Sequence, residues 1–227
     1  MMTRRALLAG LAGTAQKRRP VLVELFTSQG CSSCPPADRL LERLDREQPV
    51  AGADILVLSE HVDYWNHIGW TDPFSSPLYS ERQQRYARQF RLDSVYTPQM
   101  VVDGITQFVG SDQNRAEAAI RSAAEAPKKS VTAVLHGSRL SVKVDGREAG
   151  EKVWVAAARE SGSSDVVRGE NRGRRLVHVA VAERLMEVGG GGEVELGRSR
   201  WDGYQLLVFA QARSGRVTGA ARVYRSW

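Results

Sequence analysis

Hydrophobic and polar positions change rhythm several times along the chain. Val21, Leu22, Val23, Leu25 and Phe26 form a nearly continuous apolar run, which predicts a strand over 20–26 buried on both faces. Thr27-Ser28-Gln29-Gly30 reads as a turn. Leu40, Leu41 and Leu44 then recur at helical spacing, and Cys34-Pro35-Pro36 fits the start of that helix, where a missing N–H is harmless. Residues 55–58 predict a second buried strand. Residues 61–77 are aromatic-rich and broken by Gly69, Pro73 and Pro77, as in a structured loop. Tyr86, Ala87 and Phe90 give helical spacing to 80–90. Two short strands, 100–102 and 107–109, flank an Asp103-Gly104 hairpin turn, and the alanine-rich stretch 114–126 predicts another helix.

The resulting order is β-α-β, helix, β-hairpin, helix, the order of a thioredoxin core. After Pro127-Lys128-Lys129 the pattern becomes short and β-rich, at 130–135, 140–144, 153–158, 176–182, 204–210 and 217–223, with a flexible loop at Gly189–Gly192. Strands at that spacing suggest a small all-β sandwich. The expected fold class is therefore α/β, a thioredoxin-like fold followed by a C-terminal β-rich, sandwich-like region. The expected divisions are 1–19, 20–127 and 128–227.

Composition changes this picture in two places. The net charge of +6 over 227 residues invites a nucleic-acid reading. However, Arg4, Arg5, Lys17, Arg18 and Arg19 lie in residues 1–19, and taking those five from +6 leaves +1. No basic groove for nucleic acid is expected in the body. Residues 1–19 read instead as an export signal and basic leader, with Arg4-Arg5 before a short apolar stretch and small residues at Gly13-Thr14-Ala15. A periplasmic or secreted location follows, with no stable transmembrane span, because no apolar run reaches the roughly 18 residues a span requires.

The strongest local chemistry is Cys31-Ser32-Ser33-Cys34, which holds both cysteines of the chain. Two intervening residues at a helix start bring the sulfurs within bridging reach. The helix end favours a thiolate on Cys31, the attacking species in disulfide exchange, and Cys34 is placed to resolve a mixed disulfide. A zinc site is the poorer reading, since four ligands are required and His61, His67, His136 and His178 lack finger spacing. An inert structural disulfide is the other alternative.

Three further groups complete the candidate site. Thr97-Pro98 precedes the hairpin, where a cis-proline loop would dock a substrate backbone against the dithiol. Glu24, the one charge in the first strand, is a candidate proton relay for Cys34, or else an acid reaching solvent or an arginine. His61 and Asp63 follow the second strand at the end that borders the ligand crevice of an open sheet, and are expected to orient each other beside Cys31. Trp65 and Trp70 read as a satellite core, and His136 and His178 as structural.

Residues 23–38, His61-Val62-Asp63-Tyr64-Trp65, Gly69-Trp70-Thr71-Asp72-Pro73-Phe74, Tyr96-Thr97-Pro98-Gln99-Met100, Val102-Asp103-Gly104 and Gly169-Glu170-Asn171-Arg172-Gly173-Arg174 with His178 resemble a family of secreted bacterial proteins called domain of unknown function 1223. The resemblance covers nearly all of the mature chain and implies a thioredoxin-like superfamily fold with a β-rich C-terminal part. It implies no particular reaction. The expected function is a thiol–disulfide oxidoreductase outside the cytoplasm, acting on protein or small-molecule thiols and disulfides without a cofactor. Two alternatives stand beside it: a copper-binding or metal-delivery protein using Cys31, Cys34, His61 and His67, since soft thiolates suit Cu(I), and a binding module with a structural disulfide.

Overall fold

The computed structural model describes residues 18–197 and 200–225. Most of the expected export segment, residues 1–17, lies outside the described residues. Arg18 and Arg19 do not: the Arg18 Nε–H donates to the Ala53 carbonyl at 2.7 Å, and Arg19 opens the first strand.

Fourteen of the elements follow in the order β1 (Arg19–Thr27), α1 (Pro35–Glu47), β2 (Ala53–His61), α2 (Pro77–Phe90), β3 (Gln99–Val102), β4 (Thr106–Val109), α3 (Gln113–Glu125), β5 (Val131–His136), β6 (Arg139–Val144), β7 (Lys152–Asp165), β8 (Arg175–Glu187), β9 (Gly192–Glu195), β10 (Tyr204–Gln211) and β11 (Val217–Arg222). A last short strand, β12, is Tyr224–Arg225, and a 3-10 turn, Asn66–Ile68, lies between β2 and α2. No helix among the described residues is long and apolar enough to cross a membrane.

The first half has the expected thioredoxin-like order. β1 and β2 run parallel, β3 returns antiparallel against β1, and β4 closes the hairpin. The hairpin turn puts Asp103 at φ 49° and Gly104 at φ 66°. Only glycine fits the second position, because a Cβ on Gly104 would meet the Gly215 carbonyl oxygen at 2.0 Å.

The C-terminal strands are used in two ways. β8 lies parallel beside β2, and β7, β10 and β11 follow antiparallel, so one eight-stranded sheet runs β11-β10-β7-β8-β2-β1-β3-β4. β9, β6 and β5 form a small antiparallel sheet, to which β12 adds in parallel. Its Ala133, Leu135, Leu140 and Val142 pack against Val153, Val155, Leu206 and Val208 of the large sheet. The β-rich region is therefore sandwich-like, and one layer of the sandwich is the extended thioredoxin sheet. β9 starts at Gly192, where the sequence suggested only a loop.

Alternation along β1 sorts the helices to the two faces of the sheet. Thr27 donates to Asp38 of α1 at 2.9 Å, and a Cβ on Gly110 would touch both Leu25 and Ala37 of α1. Arg43 of α1 lies 3.8 Å from Glu117 of α3, so these two helices are neighbours. Phe26 packs instead with Tyr86 of α2 on the opposite face.

Candidate functional site

Cys31 and Cys34 are joined in a disulfide with their Cα atoms 5.4 Å apart. Cys34 is the N-cap of α1, and its carbonyl accepts the N–H groups of Ala37 and Asp38. Pro35 and Pro36 fill the next two positions, so neither supplies an N–H to the helix end. The backbone amide of Ser32, next to Cys31 in the chain, donates to Glu170 Oε2 at 2.9 Å. The bonds to Ser32 hold the Glu170 carboxyl below its ordinary range. The helix start thus offers Cys31 fewer free donors than the motif suggests.

Both cysteines are completely buried, with 0% of either residue exposed. The start of α1 therefore does not present Cys31 as an exposed nucleophile. Ser32 and Ser33 remain exposed, and Ser33 Oγ lies 3.3 Å from the Cys31 sulfur. Part of the enclosure comes from the connection between β7 and β8. Asn171, fully buried, donates from its amide to the carbonyls of Gln29 and Cys31, each at 2.9 Å. That connection is Val166 to Arg174, held at its neck by the Val166 N–H donating to the Arg174 carbonyl and the Gly173 N–H donating to the Val166 carbonyl.

Beneath the disulfide turn lies a buried polar cluster centred on Gln29. The Gln29 side-chain amide donates to Ser164 Oγ at 3.0 Å and to His178 Nε2 at 3.2 Å, and its oxygen accepts the Trp70 indole N–H at 3.1 Å. The Gln29 backbone N–H donates to Asp72 Oδ2 at 2.8 Å. His61 Nδ1–H donates to the same oxygen at 2.7 Å. Burial pushes the Asp72 carboxyl up, but the neighbouring His61 and the N–H donors of His61, Gln29 and Phe74 outweigh it and hold the group below its usual range. The rings of His61 and His178 meet edge to face with centroids 4.5 Å apart. His178 Nδ1 faces Asp38 Oδ1 across 3.6 Å, and His61 Nε2 is buried without a hydrogen-bond partner.

The other expected site residues are distributed as follows. The Thr97–Pro98 bond is cis. The Gly110 N–H donates to the Pro98 carbonyl, and a Cβ on Gly110 would lie 3.2 Å from both Pro98 and Ala37, so this loop abuts the first turn of α1. Thr97 Oγ1 accepts the Trp65 indole N–H at 2.8 Å, and Trp65 in turn packs on Gly30. Asp63 does not orient His61. It accepts the Ser80 hydroxyl at 2.5 Å, its own N–H donates back to that oxygen at 3.1 Å, and the partner of His61 is Asp72.

Glu24 is buried, yet it faces α2 rather than the thiols. Its carboxylate accepts Arg82 Nε–H at 2.5 Å and the Tyr86 hydroxyl at 2.5 Å. The acid on the α1 face is Asp38, one turn beyond Cys34.

His67 is exposed, and its Nδ1–H donates to the Tyr64 carbonyl. Among the described residues no group of three or more His, Cys, Asp or Glu side chains is gathered that could hold a metal ion, so Cys31, Cys34, His61 and His67 do not form a ready-made ligand set. Sequence reasoning missed Gln29, Asp72 and Asn171 and treated His178 only as a strand histidine. The adjacency of Gln29 to the cysteine motif was the available signal.

The family model described as a protein of unknown function (DUF1223) matches residues 22–205. Among solved structures, the crystal structure of protein AGR_C_4864 from Agrobacterium tumefaciens is 28% identical, with a TM-score of 0.75, covering 92% of this chain and 95% of that one. HBP35 of Porphyromonas gingivalis is 14% identical with a TM-score of 0.53, covering 91% of this chain and 75% of that one, a likeness of fold alone. No curated protein matches the chain. With its matched region reaching from β1 into β10 and including both cysteines, the chain belongs to the DUF1223 family.

Proposed function

We propose that the protein is a thiol–disulfide oxidoreductase acting outside the cytoplasm, with a sheltered Cys31–Cys34 pair that is reached when the Val166-to-Arg174 connection lifts. The observation that carries this reading is the placement of a CxxC disulfide at the start of α1 with the Thr97-Pro98 loop packed against the same helix end. The basic leader supports a location where disulfides persist.

From the oxidised state, a substrate thiolate attacks the Cys31 sulfur. The Cys31–Cys34 bond breaks, and Cys34 leaves as a thiolate that takes up a proton. A second substrate thiol, deprotonated, then displaces Cys31. The substrate is oxidised to a disulfide, and the protein pair receives two electrons and two protons. The reverse sequence reduces a substrate disulfide. The substrates are protein or small-molecule thiols, with the backbone at Thr97 and Pro98 as the docking edge once Trp65 moves aside. Asp38 is better placed than Glu24 to exchange the Cys34 proton, because it shares the α1 face of the sheet with that cysteine.

Equilibration in glutathione buffers of graded potential, followed by alkylation and mass analysis, tests this. The expected result is reversible reduction of the folded protein. Cys34→Ser should accumulate mixed disulfides through Cys31, and Cys31→Ser should not exchange. A pair that stays oxidised under excess dithiothreitol until the protein unfolds would overturn the reading. The complete burial of both cysteines favours a second reading, a structural disulfide, which predicts that refractory behaviour.

A further inference from the structure

A separate cavity of about 600 Å³ opens on the α2 face, bounded by α2, the start of β7, the end of β8 and the turn from β10 to β11. Arg82, 2% exposed, is part of its wall. The guanidinium carbon of Arg82 lies 5.2 to 5.4 Å from the ring centroids of Tyr86, Trp154 and Phe209. Glu24 supplies the counter-charge, as described above. Glu60 lies 3.5 Å from Arg82 Nε, and burial, and then the charge of Glu24, push its carboxyl well above the usual range.

The rim carries the remaining charges. Lys152 is paired with Glu187 at 2.6 Å. Arg85 and Arg213 also line the cavity, both are exposed, and neither makes a hydrogen bond or close ion pair among the described residues. Arg213 lies directly over Gly150, where a Cβ would meet its Nε at 2.0 Å. Trp154, another lining residue, has a buried indole N–H without an acceptor. The cavity therefore combines two exposed guanidinium groups without a hydrogen bond or close ion pair, a donor lacking its partner, and an aromatic wall, within the size range of small-molecule sites; Glu60 and Glu81 act on Arg85 only at longer range.

We propose that this cavity is a binding site for a small organic dianion of the dicarboxylate class. Arg85 and Arg213 hold the two carboxylates, each group matching the fork geometry of a guanidinium. The Trp154 indole N–H donates to a ligand oxygen, and the apolar part of the ligand lies on the aromatic wall.

Isothermal titration of the folded protein with succinate and with phthalate tests the site. One saturable equivalent is expected for at least one of them, with benzoate about tenfold weaker for want of the second charge-assisted contact. Arg85→Gln and Arg213→Gln should each weaken the dicarboxylate about tenfold, and Lys143→Gln on β6 should leave it unchanged. Trp154→Phe keeps a ring and removes only the donor; it should weaken binding several-fold, and it carries the test should either arginine variant fail to fold. The proposal is overturned if neither dicarboxylate saturates, if benzoate or inorganic phosphate binds the same site as tightly, or if binding survives the arginine and tryptophan substitutions undiminished. None of these readouts depends on the state of the cysteines.

Discussion

The Asn171 side chain donates to the carbonyl oxygen of Cys31 at 2.9 Å, so the connection between the two long strands of the C-terminal half is fastened to the backbone of the disulfide turn. The same amide holds the Gln29 carbonyl. Asn171→Ala removes both donors from a buried site. It should lower unfolding free energy by about 1–3 kcal/mol and speed reduction of the disulfide by dithiothreitol in the folded state. Urea unfolding and alkylation-quenched reduction kinetics check the two effects, and a reduction rate unchanged from wild type would detach Asn171 from access to the pair.

Glu170 affects the same turn electrostatically. In the reduced protein a carboxylate at Ser32 both occupies an amide and disfavours a second negative charge on Cys31. Glu170→Gln should therefore lower the Cys31 thiol pKa and increase its alkylation rate at mildly acidic pH. The pH dependence of iodoacetamide labelling in a Cys34→Ser background measures this shift.

Glu24→Gln should act on stability and leave exchange nearly untouched. Without the carboxylate, the buried Arg82 guanidinium loses its closest counter-ion, a loss of about 3 kcal/mol or more for a broken buried pair. Single-turnover exchange by the folded fraction should match wild type, because Glu24 and the cysteines are separated by the sheet. A slowed resolving step in this variant would restore Glu24 as a proton relay.

Glu60 gives a pH signature of defined sign. Its folded-state pKa is raised well above the ordinary 4.5, so the folded protein retains a proton that the unfolded chain releases. That contribution to stability is complete below about pH 4 and declines as pH rises toward the folded-state pKa. Glu60→Gln mimics the protonated acid and escapes this decline. Its stability relative to wild type should grow between about pH 4 and pH 7 in urea unfolding, and a constant difference across that interval would contradict the assignment.

The disulfide itself should contribute modestly to global stability. It closes a very short loop, with a sequence separation of 3, and a chain-entropy estimate gives about 2 kcal/mol. The reduced protein should remain folded, with near-native circular dichroism and a lowered midpoint in urea.

Local features were legible because local chemistry determines them. The apolar run of β1, the prolines opening α1 and the Asp103-Gly104 turn each announce their element through burial or backbone preference. The role of Glu24 was also within reach. Strand alternation puts it on the face opposite Leu25 and Thr27, the residues that meet α1. The pairing of His61 with Asp72 was not legible, since it is set by the loop joining them rather than by a strand or helix period, and neither was the enclosure of Gln29 by Ser164, Asn171 and His178, since it depends on β8 docking beside β2 across more than a hundred residues. Strand neighbours at that separation leave no periodic trace.

That same docking sets an order of events along the chain. When the chain appears progressively from its N-terminus, whether from a ribosome or through a membrane pore, Cys31 and Cys34 emerge well before Asn171 and β8. A nascent protein presents its thiols uncovered, and completion of the later strands shuts them away. Oxidation of the pair is thus easiest early in the life of each molecule, and an oxidising catalyst has its best opportunity before the sheet is whole.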